Sequence, residues 1–246
     1  MNFSGKKVLI IGGSRGIGAA IVARFAQENA RIVFTFKAAT ERAHALVRSI
    51  IASGGHIQAI QCDNADTQQI SETINSAIEI LEGIDIVVVS AGIYNGGPLE
   101  HISLEDIDAT YAVNIRALLL FAQGAAKHMR SGGRIIFIGS NMAERVPRAG
   151  ATLYALSKTA IVGMTKGLAR DLGHRGITVN NIQPGPVDTE MNPATTEKAQ
   201  WSKNNLIALQ RYGRAEEIAS MVAYVAGPDA AFVTGASLTV DGGYSI

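Results

Sequence analysis

Tyr154 and Lys158 are a pair of residues whose types and spacing could carry out chemistry. They lie four positions apart in the stretch TLYALSK, residues 152–158. In a helix, this spacing places both side chains on one face, within reach of each other or of a shared ligand. A free tyrosine has a pKa of about 10, and a neighbouring ammonium group can lower it by favouring the phenolate. The pair could move a proton near neutral pH, although most such pairs taken alone are structural.

A glycine-rich turn near the N-terminus could bind a phosphate group. In IIGGSRGIG, residues 10–18, Gly12, Gly16 and Gly18 follow an apolar run and open a helical pattern. Glycines in this position let a pyrophosphate approach backbone N–H groups at a helix N-terminus, where the helix dipole favours an anion. The turn therefore predicts a dinucleotide site. The alternative is a glycine turn that serves only close helix packing.

The end of the second predicted strand indicates which dinucleotide would bind. An acidic residue there would bind the free ribose hydroxyls, whereas a nearby arginine would accept a 2′-phosphate. The stretch FTFKAAT has no acid before Glu41, while Arg15 in the glycine turn and Lys37 after the strand could both face a 2′-phosphate. We predict NADP(H) rather than NAD(H). The alternative is that both cations are solvated surface groups.

The elements that must position these groups alternate along the chain. Short apolar runs predict strands, and segments with apolar residues at helical spacing predict helices between them. Strands that alternate with helices throughout predict an α/β protein with a doubly wound parallel sheet, in which ligands bind at the carboxyl ends of the strands. The predicted strands are 8–11, 31–36, 57–61, 84–92, 134–140, 177–185 and 236–243, and the predicted helices are 19–30, 40–51, 67–81, 103–129, 154–172 and 215–225.

Composition narrows the class of protein. Of the 246 residues, 47% are hydrophobic and 17% are charged, which predicts one compact globular domain. The formal net charge of +1, without blocks of like charge, argues against nucleic-acid or anionic membrane partners. Cys62 is the only cysteine, which excludes a multi-cysteine zinc site and fits a reducing cytoplasm. The five histidines show no metal spacing, so we predict no metal.

Taken together, the motifs resemble those of the short-chain dehydrogenase/reductase family. Each motif alone is weak evidence, whereas the ordered set over essentially the whole chain is highly specific. The resemblance implies a single Rossmann-type domain over residues 1–246. The matching motifs are Gly12-x-x-x-Gly16-x-Gly18, Ser90-Ala91-Gly92, Asn114, Ser140, Tyr154-x-x-x-Lys158, NIQPGPVDT and VTGASLTVDGG.

The resemblance implies catalytic roles for four residues. Tyr154 would be the general acid that gives a proton to the substrate carbonyl oxygen as hydride arrives from the nicotinamide. Lys158 would lower the pKa of Tyr154 and hold the nicotinamide ribose. Ser140 would orient the carbonyl, and Asn114 would hold a water in the proton path to Lys158. These roles amount to general acid catalysis combined with positioning of the substrate.

The resemblance also implies positions that contact the cofactor. Asp63 would contact the adenine with Asn64 beside it, although the alternative for Asp63 is a turn or helix cap. The loop after the sixth strand would wrap the nicotinamide carboxamide. The full set of expected cofactor contacts is Gly12, Ser14, Arg15, Gly16, Ile17, Gly18, Lys37, Asp63, Asn64, Ser90, Ala91, Gly92, Tyr154, Lys158, Pro184, Gly185, Val187 and Thr189.

Three departures from the family pattern bear on the site. Ile11 stands where the family often has threonine, and Val89-Ser90 replaces a usual Asn-Asn, so hydrogen bonds around the fourth strand must be made differently. The interval from Ser140 to Tyr154 is fourteen residues, one longer than the commonest family spacing, and Asn141 occupies the shorter register. We expect Ser140, directly at the strand end, to polarise the carbonyl, and Asn141 is the alternative.

The leading functional hypothesis is an NADPH-dependent carbonyl reductase that interconverts a ketone or aldehyde and an alcohol. Residues 141–153 and a lid expected at about 190–210, including Met191 and Trp201, would set substrate choice. A 3-oxoacyl thioester is one option beside small ketones and keto esters. The alternative hypothesis is a regulator that binds a cyclic dinucleotide, because the chain also resembles a bacterial subgroup of the family that includes a cyclic-di-GMP-binding member. The complete Ser, Tyr, Lys and Asn set favours the enzyme.

Assembly and location complete the sequence-based expectations. The predicted helix from Tyr154 carries small residues that permit close packing, and the family commonly forms tetramers through such helices and the C-terminal segment. We therefore expect a cytoplasmic homotetramer. The small residues are Ala155, Ala160, Gly163 and Gly167.

Overall fold

Seven parallel strands form one sheet at the centre of the molecule. The structure, a computed structural model, describes residues 2–246. The strands lie in the order β3-β2-β1-β4-β5-β6-β7, and each neighbouring pair is parallel. The predicted doubly wound α/β fold is confirmed. The strands are β1 (Lys7–Ile11), β2 (Arg31–Phe36), β3 (His56–Gln61), β4 (Ile86–Val89), β5 (Arg134–Ile138), β6 (Thr178–Pro184) and β7 (Ser237–Val240).

Helices cover both faces of this sheet, which explains why the strands are so uniformly apolar. Along β1, Val8 and Ile10 pack into one buried cluster while Leu9 and Ile11 pack into the other. This alternation is the two-residue period of a strand. Within residues 2–246 the α-helices are α1 (Gly16–Gln27), α2 (Thr40–Ala52), α3 (Thr67–Leu81), α4 (Leu104–Tyr111), α5 (Ala117–Ala126), α6 (Thr152–Leu172), α7 (Glu197–Asn205) and α8 (Ala215–Ala226).

The chain reverses its winding direction between β1 and β4, which are neighbours in the sheet. Loops leaving two such strands diverge, and the crevice between them at the carboxyl ends is where ligands bind in sheets of this kind. The glycine turn follows β1, and residues 90–92 follow β4. The fold therefore brings these two predicted motifs to one crevice.

Side-chain caps fix the starts of two helices. The Asp66 side chain caps α3 by accepting from the backbone N–H groups of Gln68 and Gln69. Ser103 and Asp106 form a reciprocal capping box at the start of α4. Because these side chains satisfy donors that lack a partner within the helix, they stabilise each N-terminus.

Two helical features differ from the predicted elements. The single helix expected over 103–129 is divided into α4, a π-helical turn (Ala112–Arg116) and α5. The expected lid contains α7, which begins after a Thr196 cap and is almost entirely polar. Within residues 2–246, no helix has the length and apolar character needed to cross a membrane.

Candidate active site

The glycine turn is packed so tightly that larger residues would not fit. Gly12 has a φ of +83°, and a Cβ there would lie 2.9 Å from the Cα of Ala91. A Cβ at Gly18 would lie 1.9 Å from the carbonyl oxygen of Gly12. The N-cap residue of α1, Arg15, makes no capping hydrogen bond with its side chain. The close approach and the uncapped N-terminus of α1 fit a pyrophosphate.

A buried threonine holds the glycine turn against β2. The Oγ1 of Thr35 accepts a hydrogen bond from the N–H of Gly12 at 3.0 Å, and its carbonyl accepts from Gly13 at 2.8 Å. Sequence analysis did not assign Thr35 a role. The available signal was a hydroxyl residue inside the otherwise apolar strand RIVFTF.

Lys37 and Asp63, both expected to contact the cofactor, form an ion pair with each other. The Lys37 Nζ lies 2.7 Å from the Asp63 Oδ2. The hydrogen bond from Lys37, with a second from the N–H of Ala65, holds the pKa of the Asp63 carboxyl below its usual range. The Lys37 amino group therefore has a protein partner already. Asn64 is buried, and its Oδ1 accepts from the Cys62 thiol at 3.7 Å.

The loop after β4 joins the glycine turn to the catalytic side of the crevice. Its backbone is tied to β1 by a 2.9 Å hydrogen bond from the Ser90 N–H to the Ile11 carbonyl. At the other end of the loop, a Cβ on Gly92 would lie 3.4 Å from the Asn114 Oδ1 and 3.5 Å from the Lys158 Nζ. Gly92 thus borders a small space shared by these two polar groups.

Asn114 lies in the π-helical turn, fully buried, with both ends of its amide engaged. Its Oδ1 accepts from the N–H of Ile93 at 2.9 Å, and its Nδ2 donates to the Ile93 carbonyl and to the Ser157 Oγ. Ser157 in turn donates to the Tyr154 carbonyl at 2.7 Å. Asn114 therefore clamps the β4 loop to α6, a structural role beyond its expected water contact. Ser157 completes the clamp, and sequence analysis did not assign it a role.

Ser140, Tyr154 and Lys158 meet at the carboxyl end of β5. The Tyr154 hydroxyl lies close enough to the Ser140 side chain for Ser140 to favour the phenolate, and the Ser140 Oγ accepts from the N–H of Met142 at 3.1 Å. The Lys158 Nζ lies 5.5 Å from the centre of the Tyr154 ring and donates to the Ile138 carbonyl at 3.1 Å. The predicted i, i+4 pair thus faces the predicted serine.

Burial dominates the electrostatics of this group. It lowers the pKa of Lys158 to about 8 and raises the pKa of Tyr154, with the Ser140 hydrogen bond acting in the opposite direction. Burial is the largest influence on the pKa of Tyr154, and the lowering of that pKa by Lys158 that the resemblance implies stays a prediction. The ammonium group sits over the ring and bonds to a carbonyl, while burial disfavours the phenolate. Tyr154 is consequently protonated at neutral pH.

The neighbouring Asn141 points away from Tyr154. Its Nδ2 lies 3.4 Å from the Asp241 Oδ2 and 3.3 Å from the Ser245 Oγ, so it anchors the C-terminal segment. Of the two residues that the sequence left open, the geometry favours Ser140 as the group that polarises a carbonyl.

The loop after β6 completes the crevice opposite α6. Pro184 ends β6, and a Cβ on Gly185 would lie 2.5 Å from the Cβ of Asp241. Val187 is buried, and the methyl group of Thr189 lies 3.4 Å from the position of a Cβ on Gly16. The expected nicotinamide loop and the glycine turn therefore lie side by side.

The predicted lid packs on the C-terminal segment through a small apolar cluster. Ala199 on α7, Ile207, Tyr212 and Tyr244 form that cluster. Arg145 donates to the carbonyls of Tyr244 at 2.7 Å and Ile246 at 2.8 Å. The segment after Ser140, the lid and the C-terminus are thus one connected wall.

Tyr94 is a further residue of this wall that sequence analysis did not identify. Its ring centre lies 5.0 Å from that of Tyr154, and the Arg148 guanidinium lies 3.5 Å from its hydroxyl. Trp201 and Met191 are exposed.

Comparison with known proteins agrees with this geometry. A family model described as "Enoyl-(Acyl carrier protein) reductase" matches residues 12–245. A solved structure of a short-chain dehydrogenase/reductase from Serratia marcescens is 51% identical, with a TM-score of 0.98 and full coverage of both chains. The chain belongs to the short-chain dehydrogenase/reductase family. The resemblance seen in the motifs is confirmed.

Other members of the short-chain dehydrogenase/reductase family extend the comparison. A Burkholderia cenocepacia short-chain dehydrogenase solved in complex with NADP is 46% identical, with a TM-score of 0.97 and full coverage of both chains. An Escherichia coli relative, "Cyclic-di-GMP-binding biofilm dispersal mediator protein", is 44% identical over 98% of each chain. A Synechocystis 3-oxoacyl-[acyl-carrier-protein] reductase is 33% identical over 96% of this chain and 95% of its own.

Throughout residues 2–246, no group of three or more His, Cys, Asp or Glu side chains could hold a metal ion. The polar groups of the crevice are hydroxyls, amides, a lysine and arginines, which suit phosphate and carbonyl oxygens.

Proposed function

We propose that the protein is an NADP(H)-dependent carbonyl reductase that interconverts a ketone or aldehyde and an alcohol. The observation that carries this proposal is the convergence of Ser140, Tyr154 and Lys158 at the end of β5, beside the crevice bordered by the glycine turn. Burial keeps Tyr154 protonated, which is the form that a general acid requires. The cyclic-dinucleotide regulator would need none of these three groups in this arrangement.

The residues of the crevice fit the cofactor that the family implies. Gly12, Gly16 and Gly18 would hold its pyrophosphate at the uncapped start of α1, and the loop from Pro184 to Thr189 would border its nicotinamide end. When bound, NADPH supplies the hydride. A preference for the 2′-phosphate is supported by Arg15, by the absence of an acid between Phe36 and Glu41 in the sequence, and by the NADP found in the Burkholderia relative.

The chain's own residues then account for the proton. Ser140 and Tyr154 both direct hydroxyl groups at the site where a substrate carbonyl oxygen would lie, so Ser140 orients that oxygen and Tyr154 protonates it. Lys158, Asn114 and Gly92 border the space behind Tyr154. We assign to that space the path by which Tyr154 regains its proton.

Oxidation of NADPH, with NADH alongside, tests the proposal. The panel contains ketones, keto esters and an acetoacetyl thioester, and the proteins are wild type and Tyr154→Phe. We expect turnover to fall by about 10²- to 10⁴-fold in the variant, with NADPH binding unchanged. Full turnover in the variant would remove Tyr154 as general acid.

The names of two relatives suggest different ligands for this site, and the same assay distinguishes between them. Turnover of the acetoacetyl thioester above the small ketones would support a 3-oxoacyl thioester substrate, as the name of the Synechocystis relative suggests. Measurable cyclic-di-GMP binding without hydride transfer to any panel member would instead favour the regulatory function named for the Escherichia coli relative.

We further propose a homotetramer in the cytoplasm. Gly163 and Gly167 on α6 are exposed, and a Cβ on either would meet nothing within 4 Å, which leaves a smooth face for a second α6. Ala155 is buried and takes no part in that face. The free thiol of Cys62 fits a reducing compartment. Sedimentation velocity at working concentration tests the assembly, and a monomer would refute it.

A further inference from the structure

The lid segment begins with an acidic residue that pairs with a cation across the crevice. The Glu190 carboxylate is hydrogen-bonded to the guanidinium of Arg42, which lies in the first turn of α2. Arg15, at the start of α1, also attracts this carboxylate, and the two arginines together lower the pKa of Glu190. Both paired side chains are 55% exposed, so the pair can exchange with other ions.

The two arginines lie where a 2′-phosphate would be recognised. α1 and α2 begin after the carboxyl ends of β1 and β2, which are adjacent in the sheet. Lys37, the other cation expected there, is already paired with Asp63 at 2.7 Å. Arg15 and Arg42 therefore remain to hold a phosphate, and Glu190 is the anion that now occupies Arg42.

We infer that Arg42 is a further determinant of the preference for a 2′-phosphate, and that Glu190 occupies its guanidinium until the phosphate displaces it. Arginine binds carboxylate and phosphate oxygens with the same planar set of donors, which makes the exchange chemically direct. The inference rests on the proposed use of NADP(H). Displacement frees Glu190, the first residue of the lid, from Arg42. NADP(H), which carries a 2′-phosphate, would therefore break this ion pair, and NAD(H) would leave it intact.

Cofactor binding to the purified protein, without substrate, tests the inference. Dissociation constants for NADPH and NADH are measured by titration calorimetry for wild type, Glu190→Gln, Arg42→Gln and the double variant. Glu197→Gln is the matched control, because it removes an equal charge from the exposed first turn of α7 in the same lid.

Glu190→Gln should tighten NADPH binding about two- to five-fold, the range for losing competition from an exposed ion pair, and leave NADH unchanged. Arg42→Gln should weaken NADPH about tenfold and abolish the effect of Glu190→Gln in the double variant. If Glu197→Gln tightened NADPH binding as much as Glu190→Gln does, or if Glu190→Gln tightened NADH binding equally, the inferred competition between Glu190 and the 2′-phosphate would be wrong. Wild type that fails to bind NADPH would overturn the proposed function itself.

Discussion

The catalytic side of the crevice, around Tyr154, and its cofactor rim, around Arg42 and Lys37, are built in opposite ways. Around Tyr154, the side chains of Ser140, Lys158 and Asn114 are buried, and Ser157 links Asn114 to the Tyr154 carbonyl by hydrogen bonds. Around Arg42, the charged groups are exposed and held by ion pairs. A buried hydrogen-bonded group is costly to leave without its partner, whereas an exposed ion pair contributes little. Substitutions should therefore act strongly on the first region and weakly on the second.

The largest expected effect comes from the buried Lys158. Its pKa falls from 10.5 to about 8 on burial, so the unfolded chain binds more protons between these values. Stability of the cofactor-free protein should rise with pH across this window, by about 2–3 kcal/mol from pH 7 to pH 10. In Lys158→Met this contribution disappears. Urea unfolding of both proteins at each pH measures it, and parallel pH profiles would contradict it.

A smaller effect is expected from the clamp between Asn114 and α6. Ser157→Ala removes one of the two acceptors of the Asn114 Nδ2 and leaves one donor of a buried amide without a partner, which should cost about 1–3 kcal/mol of unfolding free energy. Turnover should fall while NADPH binding holds, because the clamp positions Tyr154 through its carbonyl. Ser157→Thr, which keeps the hydroxyl, should recover turnover. If Ser157→Ala had wild-type stability and turnover, the clamp would have no energetic importance.

The smallest effect is expected at the rim. Lys37→Met breaks the exposed ion pair with Asp63 and should change the unfolding free energy by less than about 1 kcal/mol. NADPH affinity should change less than in Arg42→Gln, since Lys37 is already paired. A loss in Lys37→Met that equals or exceeds the loss in Arg42→Gln would show that Lys37 leaves Asp63 for the phosphate. Comparing the loss of NADPH affinity in Lys37→Met with the loss in Arg42→Gln shows which of the two cations contributes more to binding.

The two regions also differ in how far sequence predicts them. The alternating strands and the spacing of Tyr154 and Lys158 are set by residues close in the chain, and the structure has them as predicted. The Lys37–Asp63 pair joins the ends of two different strands, and Glu190 reaches Arg42 from 148 residues away. Such pairings depend on tertiary packing, which no local pattern encodes.

The two helical features that the sequence did not predict have separate physical causes. α7 lacks an apolar stripe because it contributes only Ala199 and Ser202 as buried side chains, so periodicity could not predict it. The π-helical turn holds one residue more than a regular helical turn. Because the apolar residues on either side of it keep a helical spacing, the sequence pattern predicts one unbroken helix. The buried Thr35 and Ser157 were recognisable only as hydroxyl groups among apolar neighbours.

The π-helical turn makes the site sensitive to length as well as to composition. An α-helix advances about 100° per residue, and a widened turn accommodates one extra residue within an otherwise continuous helical path. Deleting one neighbour of Asn114 within Ala112–Arg116 would close the widened turn into regular helix, in which successive residues are about 100° apart. Asn114 would then lose the position from which its amide reaches Ile93 and Ser157, even though Asn114 itself was retained. In this stretch, a deletion should be tolerated less well than a conservative exchange.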